Sequence, residues 1–300
     1  MKKHEFPFKL NPSTDLLDEK ILRWAWEKKL VADVEELERL RTQKINSFAG
    51  FLFPEANEDK LQVSMKLFLC LFLLDDLLDV EYGKHQVEFL DSLMVPGQST
   101  FDLESRLGRL GFEISLLGLQ LEQQAPCLTG GQSWREVWQF YMEGLQWETI
   151  NRSLKNTPSI TEYQMMRPHS SGVFLAIHLL KPRQVLEECD TQLLELTIAR
   201  FICLSNDLAS WVKELEMNDR HNELLLLRSF YGEKADAMVN QELDMLKKKI
   251  FYLSELLSLK SEECRQWVDS LLYLVGGCMA WSNMTFRYTS GINGKSRYLE

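Results

Sequence analysis

Residues 206–214 read "NDLASWVKE", and the stretch "LLELTIARFICLS" (193–205) runs straight into them. The lead-in is mostly apolar, which is the mark of a buried helix. On such a helix Asn206, Ser210 and Glu214, spaced i, i+4 and i+8, fall on one face. A buried polar stripe costs free energy unless something satisfies it. An amide carbonyl, a hydroxyl and a carboxylate are all oxygen donors suited to a hard divalent cation. Lys213 stands beside Glu214, within reach of a phosphate, and Asp207 falls on an adjacent face. The competing interpretation is a polar surface stripe near a helix C-terminus.

Outward from this segment the 300-residue chain reads as helix almost throughout. Proline (8) and glycine (15) are sparse and strand-like alternation is nearly absent, so the expectation is all-α. Candidate helices cover about 14–29, 33–50, 57–80, 85–93, 101–123, 133–152, 160–167, 172–180, 183–215, 219–230, 233–260 and 261–287. Ser13 or Thr14 is expected to cap the first, and Pro54 to end the second. No linker or solenoid-length repeat divides the chain. One helical domain over residues 1–300 is expected, with about 1–12 and 289–300 as tails.

The formal net charge of -10 argues against a general nucleic-acid binder and against adsorption to anionic membranes. The N-terminus lacks the apolar core of a signal peptide. The longest apolar run, "LFLCLFLLDDLLDV" (67–80), is too short and too charged to span a bilayer. The six cysteines are scattered, without a C-x-x-C pair, and read as reduced thiols. A cytoplasmic enzyme or binding protein is the expectation.

That apolar run carries a second acidic feature. Asp75, Asp76 and Asp79 lie near its end, and Asp75 and Asp79 share a helix face. Like charges on a buried face need a cation, protonation or solvent. Mg²⁺ suits the pair, since it is commonly held by one or two carboxylates plus substrate phosphates. Solvated acids at a helix end are the plainer alternative.

Taken together, the two clusters resemble the class I terpene synthase family, whose motifs are D-D-x-x-D/E and N-D-x-x-S-x-x-x-E. Both are matched without substitution, at 75–79 and 206–214. "FPEANEDKLQVSMKLFLCLFLLDD" (53–76) looks like the family's approach to its first metal helix, and "YMEGLQWETINR" (141–152) resembles its W-E-x-x-N-R segment. "EYQMMRPHSSG" (162–172) is similar to the segment carrying the diphosphate-sensing arginine, here Arg167. "WSNMTFRY" (281–288) looks like W-S-x-x-x-x-R-Y, which places a further diphosphate contact at Arg287 and Tyr288. The resemblance runs from about residue 50 to 288. Two departures stand out: Arg167 lies closer to Asn206 than is usual, as a shortened loop around 181–190 would explain, and a second Arg-Tyr pair, Arg297-Tyr298, sits in the tail.

The resemblance implies a single-domain antiparallel helical bundle around a central apolar cavity. It implies three Mg²⁺ ions, held by Asp75, Asp76, Asp79, Asn206, Ser210 and Glu214. It also implies a diphosphate gripped by Arg167, Lys213, Arg287 and Tyr288. On this view the polar stripes are satisfied by Mg²⁺ and diphosphate rather than by protein. Pro168 disfavours helix at Arg167, and the resemblance implies that Ser171 or Gly172, in a break there, contributes a carbonyl near the reacting carbon; an ordinary interhelical turn is the alternative. Phe68, Phe72, Trp147, Phe174 and Trp281 are the candidate cavity aromatics, with plain core packing as the alternative for each. His169 and His178 are given no catalytic role.

The expected reaction is metal-dependent ionisation and cyclisation of a linear isoprenyl diphosphate, farnesyl diphosphate first, with release of diphosphate. A diterpene synthase using geranylgeranyl diphosphate, a chain-elongating prenyltransferase and a non-catalytic helical binding protein are the alternatives. No nucleic-acid partner and no stable membrane insertion are expected, and a homodimer is compatible with the sequence.

Overall fold

Apolar periodicity becomes helix across the computed structural model, which describes residues 5–80, 84–124, 132–182 and 191–288; no strand occurs among them. The early helices are α1 (Thr14–Glu27), α2 (Val34–Thr42), α3 (Ile45–Leu52) and α4 (Glu58–Val80). They are followed by α5 (Lys84–Leu93), α6 (Arg106–Gln124), α7 (Trp134–Ser153), α8 (Ile160–Ser170) and α9 (Val173–Leu180). The remainder are α10 (Gln192–Glu216), α11 (Glu223–Tyr231), α12 (Lys234–Ser258) and α13 (Glu262–Met284), with a final 3₁₀ turn at Phe286–Tyr288. None of the described helices is long and apolar enough to cross a membrane.

Most boundaries match expectation, and the exceptions have causes. The span 33–50 is two helices, because Lys44 turns left-handed at φ 52. The carbonyls freed there are taken up from α13: Trp281 Nε1 donates to Lys44 O at 2.8 Å and Thr285 Oγ1 to Gln43 O at 2.7 Å. Residue 13 precedes α1, but its hydroxyl makes no capping bond. Asn11 Oδ1 instead accepts from Ser13 N at 3.0 Å. The expected break at Pro168 comes three residues later, since Pro168 is held inside the last turn of α8 and the chain turns at Gly172, φ +73. Residues 183–190, expected as helix, lie outside the described residues.

The main apolar core is contributed mostly by α1, α3, α4, α6, α7, α9, α10 and α13, joined by Leu40 of α2, Leu90 and Leu93 of α5 and Ile250 and Leu257 of α12. A smaller cluster joins Leu204 to Leu224, Leu227, Ala235 and Val239, where α10, α11 and α12 meet. The N-terminal stretch, expected as a tail, is tied to the bundle through Phe6 and Asn11. Phe6 lies 5.1 Å from the Phe201 ring and 5.0 Å from Phe251, and Asn11 Nδ2 donates to Phe53 O and Ala56 O at 2.9 Å.

One glycine sets the geometry of the interior. A Cβ at Gly144 on α7 would stand 2.6 Å from Ser170 N and 2.9 Å from Ser170 Cα. The α8–α9 break is thus pressed onto α7 at a distance only glycine permits. Gly144→Ala is expected to destabilise the protein by about 1–3 kcal/mol through overpacking. The loss should appear as a lower midpoint in urea unfolding monitored by circular dichroism.

Candidate active site

The helices enclose an open cavity of about 1940 Å³. One end is polar: Asp75 comes from α4, Arg167 from α8, Asn206, Lys213 and Glu214 from α10, and Arg287 and Tyr288 from the final turn. The wall is largely apolar and aromatic, with Phe48, Phe68, Phe72, Tyr141, Phe201 and Trp281 among its residues. Ser171 and Gly172 also face it. The two acidic motifs therefore share one chamber.

Four expected site residues do not line it. Asp76 is turned away, between Arg39 (2.7 Å) and Arg287 (2.8 Å). Ser210 is buried behind the surface, where Asn222 Nδ2 approaches its hydroxyl at 3.5 Å. Trp147 donates to Glu162 Oε1 at 2.8 Å and packs edge-on against His221. Phe174 packs against His169 instead. For these two rings, placement on α7 and α9 gives a face directed elsewhere. The side chain of Asp79 and the Arg297-Tyr298 pair lie outside the described residues.

The polar stripe on α10 is satisfied by protein, contrary to the expectation that ions and diphosphate alone would do it. Asn206 Oδ1 accepts from Arg167 Nη2 at 2.9 Å, and Asn206 Nδ2 donates to the Tyr288 hydroxyl at 2.7 Å. Asn222, the N-cap of α11, donates to Glu214 Oε2 at 2.6 Å and to Asp207 O at 2.7 Å. Asp207 is fully enclosed: it accepts from Tyr163 Oη at 2.9 Å, Glu223 N at 3.0 Å and Arg167 Nε at 3.3 Å. On α4, Asp75 Oδ2 accepts from Arg287 Nη2 at 3.0 Å.

Burial, with the Asp207 charge alongside, pushes the Glu214 carboxyl up to about 7, against the pull of Arg167 and of hydrogen bonds from Ser210 and Asn222. Burial also raises Asp207, opposed chiefly by Arg167. The guanidinium of Arg167 stays charged, since the surrounding acids outweigh the cost of its burial. Burial pushes the cavity thiols of Cys203 and Cys278 up to about 11 and 12. His169 and His178, both lowered by burial, do not line the chamber.

Several residues that complete the site have no role in the sequence reading. Glu148 is buried, accepts from the Ser170 hydroxyl and lies 3.6 Å from Arg167. The "W-E" of its segment was a signal for it. Asn222 carried only an N-cap signature. Tyr163, Phe48 and Arg39 had no signal in the sequence, because their roles depend on partners 24 or more positions away in other helices: Asp207, the Phe72–Trp281 pair and Asp76.

Asp75, Asn206, Ser210 and Glu214 make up a hard-oxygen set compatible with a divalent ion. No three described His, Cys, Asp or Glu side chains converge as a ready metal site.

The family described as terpene synthase family 2, C-terminal metal binding, matches residues 66–249. The chain belongs to that terpene synthase family and is an enzyme of it. Among its relatives, the (+)-eremophilene synthase of Sorangium cellulosum is 25% identical, covering 95% of this chain and 92% of its own. The (+)-T-muurolol synthase ((2E,6E)-farnesyl diphosphate cyclizing) of Roseiflexus castenholzii is 25% identical, over 80% of this chain and 77% of its own. The crystal structure of linalool/nerolidol synthase from Streptomyces clavuligerus superimposes with a TM-score of 0.75 at 16% identity, covering 92% and 98% of the two chains, and shares the fold.

The raised Glu214 carboxyl makes a signed prediction. A folded-state pKa near 7 favours the protonated form, so its stabilising contribution is present on the acid side and lost as pH rises through about 7. Metal-free protein should lose melting temperature between about pH 5 and 8, and Glu214→Gln should flatten that slope in scanning fluorimetry.

Proposed function

We propose that this enzyme ionises and cyclises farnesyl diphosphate to a sesquiterpene, releasing diphosphate, with Mg²⁺ as cofactor. The observation that carries the reading is the convergence of Asp75, Asn206, Glu214, Arg167 and Arg287 on one chamber whose wall also carries a group of aromatic rings. Two of the relatives whose names give a substrate cyclise (2E,6E)-farnesyl diphosphate, which supports the fifteen-carbon choice.

Asp75 on one helix and Asn206 and Glu214 on another would hold the ions, three by family resemblance; the buried Ser210 hydroxyl would have to leave Asn222 to join them. Bound Mg²⁺ neutralises diphosphate oxygens and so makes the group a competent leaving group. Arg167, Lys213, Arg287 and the Tyr288 hydroxyl supply further positive charge and hydrogen bonds where that negative charge develops. Binding then requires an exchange of partners: the hydrogens that Arg167 and Asn222 now give to Asn206 and Glu214 pass to other acceptors.

The allylic cation left behind reacts with any nucleophile it meets, so its surroundings must exclude water. Phe48, Phe72 and Trp281 form a mutually packed group with centroids 4.8 to 5.5 Å apart, and their faces can stabilise a cation without attacking it. At the Ser171–Gly172 break the Gly172 carbonyl accepts from Ala176 N at 3.3 Å, so the Ser171 carbonyl is the one the break would offer to the cation. No side-chain base is assigned; the released diphosphate is the proton acceptor.

Incubation with geranyl, farnesyl or geranylgeranyl diphosphate and Mg²⁺, without isopentenyl diphosphate, tests the reading by gas chromatography with mass detection. Farnesyl diphosphate should give cyclic fifteen-carbon products, and chelation should abolish them. Asp75→Ala or Asn206→Ala should cut turnover on the order of 100-fold while helicity is kept. Full activity in either variant would remove the metal assignment.

A further inference from the structure

We infer that Arg39, on α2 and outside every motif of the site, is a positioning residue that keeps Arg287 directed at the diphosphate end of the chamber. The inference rests on the function proposed above. Asp75 and Asp76 are adjacent carboxylates, and Arg287 touches both, at 3.0 and 2.8 Å. Alone, one guanidinium shared by two acids would settle on the more buried of them. Asp76 is that one, with a side chain 20% exposed against 41% for Asp75. Arg39 supplies the missing cation: its Nη2 lies 2.7 Å from Asp76 Oδ2. The four groups are then neutral as a set, and Arg287 can remain divided between Asp76 and the cavity-facing Asp75.

Arg39 is itself fixed. Its Nη2 donates to Glu36 Oε1 at 3.3 Å and its Nη1 to Gln43 Oε1 at 3.2 Å. Glu36 in turn accepts from Arg106 and from Ala32 N. The corner after α2 also grips the segment that carries Arg287, through Trp281 on Lys44 O and Thr285 on Gln43 O. One corner thus holds the aspartate end of α4 by charge and the end of α13 by carbonyls. The guanidinium of Arg287, 5% exposed and 5.0 Å over the Phe72 ring, sits where those two attachments meet. Asp76 on this account serves as the link between two arginines and is not an ion ligand.

The test is calorimetric binding of inorganic diphosphate in Mg²⁺, alongside steady-state kinetics with farnesyl diphosphate. Arg39→Gln should weaken diphosphate binding about tenfold and raise KM more than it lowers kcat, while Arg39→Lys stays within about threefold of wild type. Where Arg39→Gln does not fold, Arg39→Met keeps the apolar stem and should show the same loss. In an Asp76→Asn background, removing Arg39 should add less than about a twofold further loss, because the link is already gone. Wild-type affinity in Arg39→Gln, or a full additive loss in the double variant, would overturn the inference. Wild-type protein that binds no diphosphate in Mg²⁺ would overturn it together with the functional reading. Wild-type protein that binds and turns over substrate, with an unaffected Arg39→Gln, would overturn the inference alone.

Discussion

Charges taken out of water must be neutralised within a few ångströms, and that requirement organises the polar end of this chamber. Arg167 is the centre of it. Its guanidinium reaches Asn206 and Asp207 on α10 and lies beside Glu148 on α7, so three helices are tied at one point. Arg152 continues the chain of alternating charge from Glu148 to Asp219. Despite burial, hydrogen bonds from His221 and the charge of Arg152 hold the Asp219 carboxyl well below its ordinary range. Removing Arg167 leaves the Asp207 carboxyl buried without its arginine, which is far more costly than losing an exposed pair.

The same network positions backbone. Glu148 accepts the Ser170 hydroxyl at the end of α8, and Gly144, one turn earlier on α7, lets that end approach closely. The α8–α9 break is therefore fixed by contacts from α7 as well as by its own proline and glycine. That explains why the break falls at Ser171–Gly172 and not at Pro168: the proline weakens the helix, but packing chooses the residue at which it stops.

The all-helical character and the oxygen stripe of α10 were readable from local pattern, since both rest on periodicity within one element. The motifs at 75–79 and 206–214 pointed at a common chamber, and Asp75, Asn206 and Glu214 do face one. What could not be read was how the stripe is satisfied in the folded chain. Asn222 lies eight residues beyond Glu214, across a turn, and Tyr288 lies 82 positions from Asn206. Nor could the direction of an aromatic be read from its helix: Phe72 faces the chamber while Phe174 turns to His169. The split at Lys44 was equally hidden, because neither glycine nor proline marks it and its cause, Trp281, is 237 positions away.

The thiols of Cys203 and Cys278 sit in the same chamber as the reactive allylic species that the proposed chemistry generates. A thiolate there would be alkylated faster still than a neutral thiol, ending the life of the enzyme in a single event. Burial holds both sulfurs in their protonated form. The dryness that shields the cation from solvent thus also keeps these two thiols in the walls around it uncharged.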